Sequence, residues 1–197
     1  QPSNSGKSKT HEIWRLALLA DKAFEDKTVS EYVHRFLSWN DTERHQFTQR
    51  RRALEQSYEN TPRHNFPKGL EAGRRAEILA RKIGDTVGLV WTLNSIASIH
   101  NGVVHYRMPR QGIDAAQELT SSLSAFTEAR NIAHKLRMKD AEAEAMSGQV
   151  MVLMNQKNYS EAEKLIPQAL ALLQLLPQNS ETKKHQRMLN HYLKRIQ

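Results

Sequence analysis

Apolar residues recur along this chain at steps of three and four, the period of a helix with one buried face. From Thr10 onward, Ile13, Leu16, Ala17, Ala20 and Phe24 form the first such stripe. Val33, Phe36 and Leu37 follow behind Ser30, which can cap a short helix, with Trp39 just beyond it. Asp41 or Thr42 offers a fresh N-cap for a helix reaching about Tyr58. Pro62 and Pro67 then forbid continuous helix, so residues 60–67 are predicted to be a linker. Leu70, Ala76, Leu79, Ala80 and Ile83 line the next helix, which Gly84-Asp85 should end. Val90, Leu93, Ala97 and His100 line another, expected to stop near Asn101-Gly102.

The second half continues in the same way. A long helix is predicted from about Gly112 to Leu136, with Ile113, Ala116, Leu119, Leu123, Phe126, Ala129, Ile132, Ala133 and Leu136 along its stripe. Helices from about Lys139 to Met154, Ser160 to Leu176 and Ser180 to Ile196 complete the chain, with a tight turn at residues 155–158. No segment alternates apolar and polar residues as a strand would, so the fold class is all-α. Residues 1–9 are polar, with Pro, Gly and Ser, and are expected to be a disordered lead-in.

The stripes repeat. Ala76, Leu79, Ala80 and Ile83 match Ala129, Ile132, Ala133 and Leu136 at an offset of 53 residues, and these match Ala169, Leu172, Leu173 and Leu176 at an offset of 40. The shorter offset is near the period of helix-pair repeats, and the longer adds about three and a half helical turns. The extra length falls between Val103 and Glu118, so one hairpin should carry an elongated helix or an insertion.

Two segments carry a likeness to a known family. The stretch Gly84-Asp85-Thr86-Val87-Gly88 through Leu93-Asn94 to Ala97 resembles the opening of a tetratricopeptide repeat, and Asn158-Tyr159-Ser160-Glu161-Ala162 resembles that family's turn into its second helix. The likeness is to the longer-period bacterial and signalling members and covers about residues 69–176. It implies a right-handed superhelix of antiparallel helix hairpins, with residues 67–176 as repeats, 177–197 as a capping helix, and 10–66 as a helical extension or degenerate repeats. His100 and Leu153 stand where the family usually has an aromatic residue, and Gln149 fills an apolar place. The resemblance further implies a concave groove lined by the first helix of each pair. Here that face would be Trp91, Asn94, Ser98 and Asn101 in one repeat and Glu144, Ser147, Met151 and Met154 in the next. Asparagine amides can hold an extended peptide backbone, and Trp and Met supply adaptable apolar contact. The competing reading makes Trp91 and the methionines ordinary core.

Composition narrows the chemistry. Apolar residues are 39% of the chain, which is lean for a compact globule and suits a slender stack. The net charge of +8 favours anionic partners of any kind. With no cysteine, disulfides, thiolate catalysis and cysteine zinc sites are excluded. Gly6-Lys7-Ser8 lacks the upstream glycine and strand of a phosphate loop. The close histidine pairs, His100 with His105 and His185 with His191, do not share a helical face, so surface histidine is the expectation and no metal is assigned. Glu142 and Glu144, like Glu161 and Glu163, lie on different faces. No catalytic constellation or cofactor site emerges.

Two basic clusters remain: Arg50-Arg51-Arg52 behind Arg44 and His45, and Lys183, Lys184, Arg187, Lys194 and Arg195 in the last helix. They are expected to be solvated faces, with a nucleic-acid-binding array as the alternative. The apolar N-terminal helix with Trp14 could form a dimer surface or cap the stack. A start at Gln1 suggests a piece of a longer protein. The functional expectation is a protein- or peptide-binding module, the sensor or scaffold part of a bacterial signalling protein such as a histidine kinase. An extracytoplasmic position is favoured over a cytoplasmic one, with membrane contact only through flanking segments.

Overall fold

A computed structural model describes residues 4–24, 27–62, 65–107 and 114–196. Among the described residues there are nine helices and no strand. They are α1 (Asn4–Phe24), α2 (Thr28–Ser38), α3 (Asp41–Asn60), α4 (Phe66–Ile83), α5 (Thr86–Arg107), α6 (Ala115–Leu136), α7 (Lys139–Asn155), α8 (Tyr159–Gln174) and α9 (Ser180–Ile196). None is long and apolar enough to cross a membrane. From α3 on, each helix packs against the next in the chain, and α3, α5, α7 and α9 also pack against one another in order.

Several boundaries differ from expectation, each for a local reason. The first helix begins at Asn4, so Gly6-Lys7-Ser8 is part of α1 and the lead-in is shorter than the composition suggested. Helix α2 starts at Thr28, before Ser30, because Asp21 of α1 supplies the cap: its Oδ1 accepts from the amides of Val29 and Ser30 at 3.1 Å. In α3 the cap is Asn40, one residue earlier than expected. Its side chain accepts from the Glu43 amide at 3.0 Å while the Glu43 carboxylate accepts from the Asn40 amide at 2.8 Å, a complete capping box. Pro67 sits in the first turn of α4, where its missing N–H costs nothing.

Helix α5 does not stop at Asn101-Gly102 but runs to Arg107, since Val103, Val104 and His105 contain no breaker. At 22 residues each, α5 and α6 exceed α7 and α8 at 17 and 16, so this hairpin holds the elongation that the repeat offset required. The expected members Gly112 and Ile113 lie outside the described residues, and Asp114 caps α6 by accepting from the Gln117 amide.

The core follows the stripes. Val90, Leu93 and Ala97 of α5 meet Phe126, Ala129 and Ala133 of α6 and Ala141 and Ala145 of α7. Val150 and Leu153 of α7 meet Ala162, Ile166 and Ala169 of α8 and Leu189 of α9. Gly148 allows the closest approach: a Cβ there would strike the buried Phe126 ring. The α1–α2 hairpin is covered less, and Ile13, Leu16, Leu18 and Leu19 remain about half exposed while Ala17 is buried.

Candidate functional site

The packing of α3, α5, α7 and α9 side by side leaves a cleft of about 580 Å³ toward their C-terminal ends. Ser98, Asn101, Gly102, His105 and Tyr106 come to it from α5, Met151, Met154 and Asn155 from α7, and Tyr192 and Arg195 from α9. Thr61, Pro62 and Phe66 close it at the α3–α4 turn. The helical period explains the selection, because residues three and four apart share a face and the cleft reads one face of each helix.

Its lining mixes aromatic, methionine and polar side chains. Phe66 is buried and stacks on the exposed ring of Tyr106, with centroids 6.3 Å apart, and a Cβ at Gly102 would press into Phe66. Asn155 donates from Nδ2 to Oδ1 of Asn101 at 2.9 Å. That bond occupies one amide hydrogen of Asn155 and one acceptor of Asn101, leaving Nδ2 of Asn101 as a donor and Oδ1 of Asn155 as an acceptor.

Toward the N-terminal ends of α5 and α7 the chemistry changes. Glu144 is largely buried, and its carboxyl pKa is pushed up to about 7 by burial first, then by Asp140 and Glu181, with Lys184 opposing. Tyr58 of α3 donates to the carbonyl of Trp91 at 3.3 Å.

The eight groove residues inferred from sequence divide accordingly. Ser98, Asn101, Met151 and Met154 meet in the cleft. Trp91 is half-buried and packs against the α4–α6 core, and Glu144 is placed near Tyr58 and α9. Asn94 and Ser147 are wholly buried. Asn94 donates to the carbonyl of Ala141 at 3.4 Å, joining α5 to α7, and Ser147 donates to the carbonyl of Ala143 one turn back in its own helix at 2.8 Å, so neither faces solvent. The resemblance placed Asn94 on a face that α5 turns toward α7 here.

Phe66, His105, Tyr106, Asn155, Tyr192 and Arg195 line the cleft without having been singled out for it. They come from four separate segments, and no single helical stripe joins them. The one available signal was the unbroken Val103–Arg107 run, which lengthens α5 far enough to deliver His105 and Tyr106.

Two further expectations are corrected. His100 is a buried histidine rather than a surface one, with Nδ1 bonded to the Glu118 carboxylate across the α5–α6 hairpin. Arg50 is not part of a solvated basic face: it is 3% exposed and pairs at 2.6 Å with Asp85, itself buried, while Arg51 and Arg52 stay outside. Burial can be afforded there because Asp85 is also fixed by the Gly88 amide at 2.8 Å.

A larger cleft of about 810 Å³ lies between α1, α2 and the α6–α7 turn, and it contains none of the inferred groove residues. Its carboxylates are engaged, Asp21 with the start of α2 and Glu142 with His134 at 2.9 Å. Among the described residues no group of three His, Asp or Glu side chains is placed to hold a metal ion.

Comparison of the chain with protein-family models, with curated proteins and with solved structures gives no match.

Proposed function

We propose that this chain is a protein- or peptide-binding module, a tetratricopeptide-like solenoid of helix hairpins whose cleft between α5, α7, α9 and the α3–α4 turn takes an extended segment of a partner. One observation carries the reading: Ser98 and Asn101, inferred from one stretch of sequence, and Met151 and Met154, inferred from another, line a single cleft. The lining sets Phe66, Met151, Met154 and two tyrosines beside polar groups that can fix an orientation, a combination suited to a binding cleft. The Asn101–Asn155 pair presents one donor and one acceptor, the complement of a single peptide unit's C=O and N–H. The module would serve as the sensor or scaffold region of a bacterial signalling protein, with the extracytoplasmic part of a histidine kinase as the specific form. A membrane span and kinase domain downstream in the full-length gene would support that form.

The test is selection of random peptides on the whole chain, followed by fluorescence titration of the selected peptides. Met151→Ala and Asn101→Ala should each weaken binding about tenfold, the loss of one good contact, with circular dichroism unchanged. Affinity that is the same in both variants would remove the cleft as the site. Binding of single-stranded oligonucleotide that falls steeply with salt and ignores both substitutions would instead favour the basic faces.

A further inference from the structure

The peptide reading leaves open what sort of side chains the cleft selects, and its charges address this. Among the described residues of the lining Arg195 is the one formally charged side chain, and none of them is a carboxylate. Among the described residues Arg195 has no ion-pair partner, whereas Arg35 pairs with Glu31, Arg44 with Asp41, Arg51 with Glu55, and Arg81 with Glu77 and Glu128. Helix α9 as a whole carries Lys183, Lys184, Arg187, Lys194 and Arg195 against Glu181.

The ordinary role for Lys194 and Arg195 is to offset the helix dipole, since both lie in the last turn of α9. That dipole amounts to about half a negative charge at the C-terminus, which the two side-chain cations exceed. Beside Arg195, the Tyr192 ring and the two methionines form apolar walls, and Met adapts to side chains of varied shape.

We propose that the cleft selects extended peptides that carry an acidic side chain next to a large apolar one, the carboxylate pairing with Arg195 and the apolar group lying against Met151 and Met154. This rests on the reading of the cleft as a peptide site. Charge complementarity names the occupant: an acidic segment supplies the anion that the lining lacks, whereas a basic segment would bring a cation beside an unpaired guanidinium. Arginine is suited to the role because its planar fork can hold both carboxylate oxygens.

The experiment uses three pools of end-blocked, fluorescein-labelled octapeptides with one fixed Phe. Glu, Gln or Lys is fixed two residues from it, and the other positions are randomised. With both ends blocked, a terminal carboxylate cannot stand in for the acidic side chain. Binding to the whole chain is measured at low salt, and the Glu pool is expected to bind about tenfold tighter than the Gln pool, with the Lys pool weakest. Arg195→Gln should level the three, and Arg195→Glu should reverse the order. Arg195 is exposed, so both variants are expected to fold as the parent does.

A Glu preference that survives Arg195→Glu overturns the proposal, as does Gln or Lys binding equal to Glu. If the Gln or Lys pool binds best and Met151→Ala weakens it, the cleft remains a peptide site and only its acidic preference fails. If no pool binds in a way that depends on Met151, both readings fail. Decathymidylate, run alongside, would overturn the acidic-peptide assignment if it bound more tightly than every pool and lost that affinity in Arg195→Glu.

Discussion

Glu144 is the residue whose chemistry departs furthest from its sequence context. A carboxyl pushed up to about 7 favours the folded state in its protonated form. The folded chain therefore holds a proton that the unfolded chain has released between about pH 4.5 and 7, and stability from this site falls as pH rises through that window. Above it the full penalty of the buried anion remains. Glu144→Gln should flatten the slope and raise stability at pH 8 by on the order of 2 kcal/mol, read from urea unfolding at several pH values. An unchanged slope would mean that the carboxylate is solvated. Sequence placed Glu144 on the right helix, but burial beside Asp140 and Glu181 depends on α9 returning to α7, which no local pattern reports.

Among the elements, the helix ends show how the repeat is built. The phrase Ala80-Arg81-Lys82-Ile83 ends α4 and Ala133-His134-Lys135-Leu136 ends α6, and the two ends have the same geometry. The amide of Asp85 reaches back to the carbonyl of Ala80 at 2.9 Å, and that of Met138 to Ala133 at 2.9 Å. Asn158 does the same to Leu153, closing α7. Each closure needs a left-handed residue, supplied by Gly84 at φ 65°, Arg137 at φ 58° and Lys157 at φ 59°. Glycine adopts that region without penalty, whereas Arg137 pays roughly 1–2 kcal/mol for it. Arg137→Gly should accordingly stabilise the chain by about 0.5–1 kcal/mol after the added entropy of the unfolded glycine, measured as a rise in Tm. A fall in Tm would show that the Arg137 side chain matters more than its backbone.

The α4 closure was the part of the fold most legible in the sequence, because stripe, closing phrase and glycine coincide there within a few residues, whereas Arg137 and Lys157 give no such signal. The stripes gave the all-helical class and the repeat offset gave the long hairpin for the same reason. Caps supplied from outside the helix were not legible: Asp21 serves α2 from another helix. The cleft was half legible. Ser98, Asn101, Met151 and Met154 sit on stripes that a repeat template can align, while Phe66, Tyr192 and Arg195 enter only when two further segments, α4 and α9, are assembled.

For the molecule as a whole, the Arg50–Asp85 pair fixes α3 to the turn between α4 and α5. It lies beneath Tyr32 and Phe47, with the guanidinium 5.0 Å from the Phe47 ring centroid, and Gly88 is bare where any Cβ would meet both partners. Arg50→Met would strand a buried carboxylate, at a cost of about 3–5 kcal/mol. Adding Asp85→Asn should recover part of that loss, since the asparagine keeps an acceptor for the Gly88 amide without the charge. Chemical denaturation of the single and double variants decides it; a single variant costing under about 1 kcal/mol would assign the pair to a solvated site.

The N-terminal part of the chain is fastened to two of those same helix ends. Trp39 donates from its indole to the carbonyl of Ile83 at 2.8 Å, and the amide of Lys27 donates to the carbonyl of Leu136 at 3.1 Å. Both acceptors are last-turn carbonyls that α4 and α6 cannot satisfy internally. Lifting α2 away would leave them to water, and the final turns of α4 and α6 would fray together. Those turns lead directly into α5 and α7, so breathing at one end of the chain loosens the starts of the helices that carry the cleft.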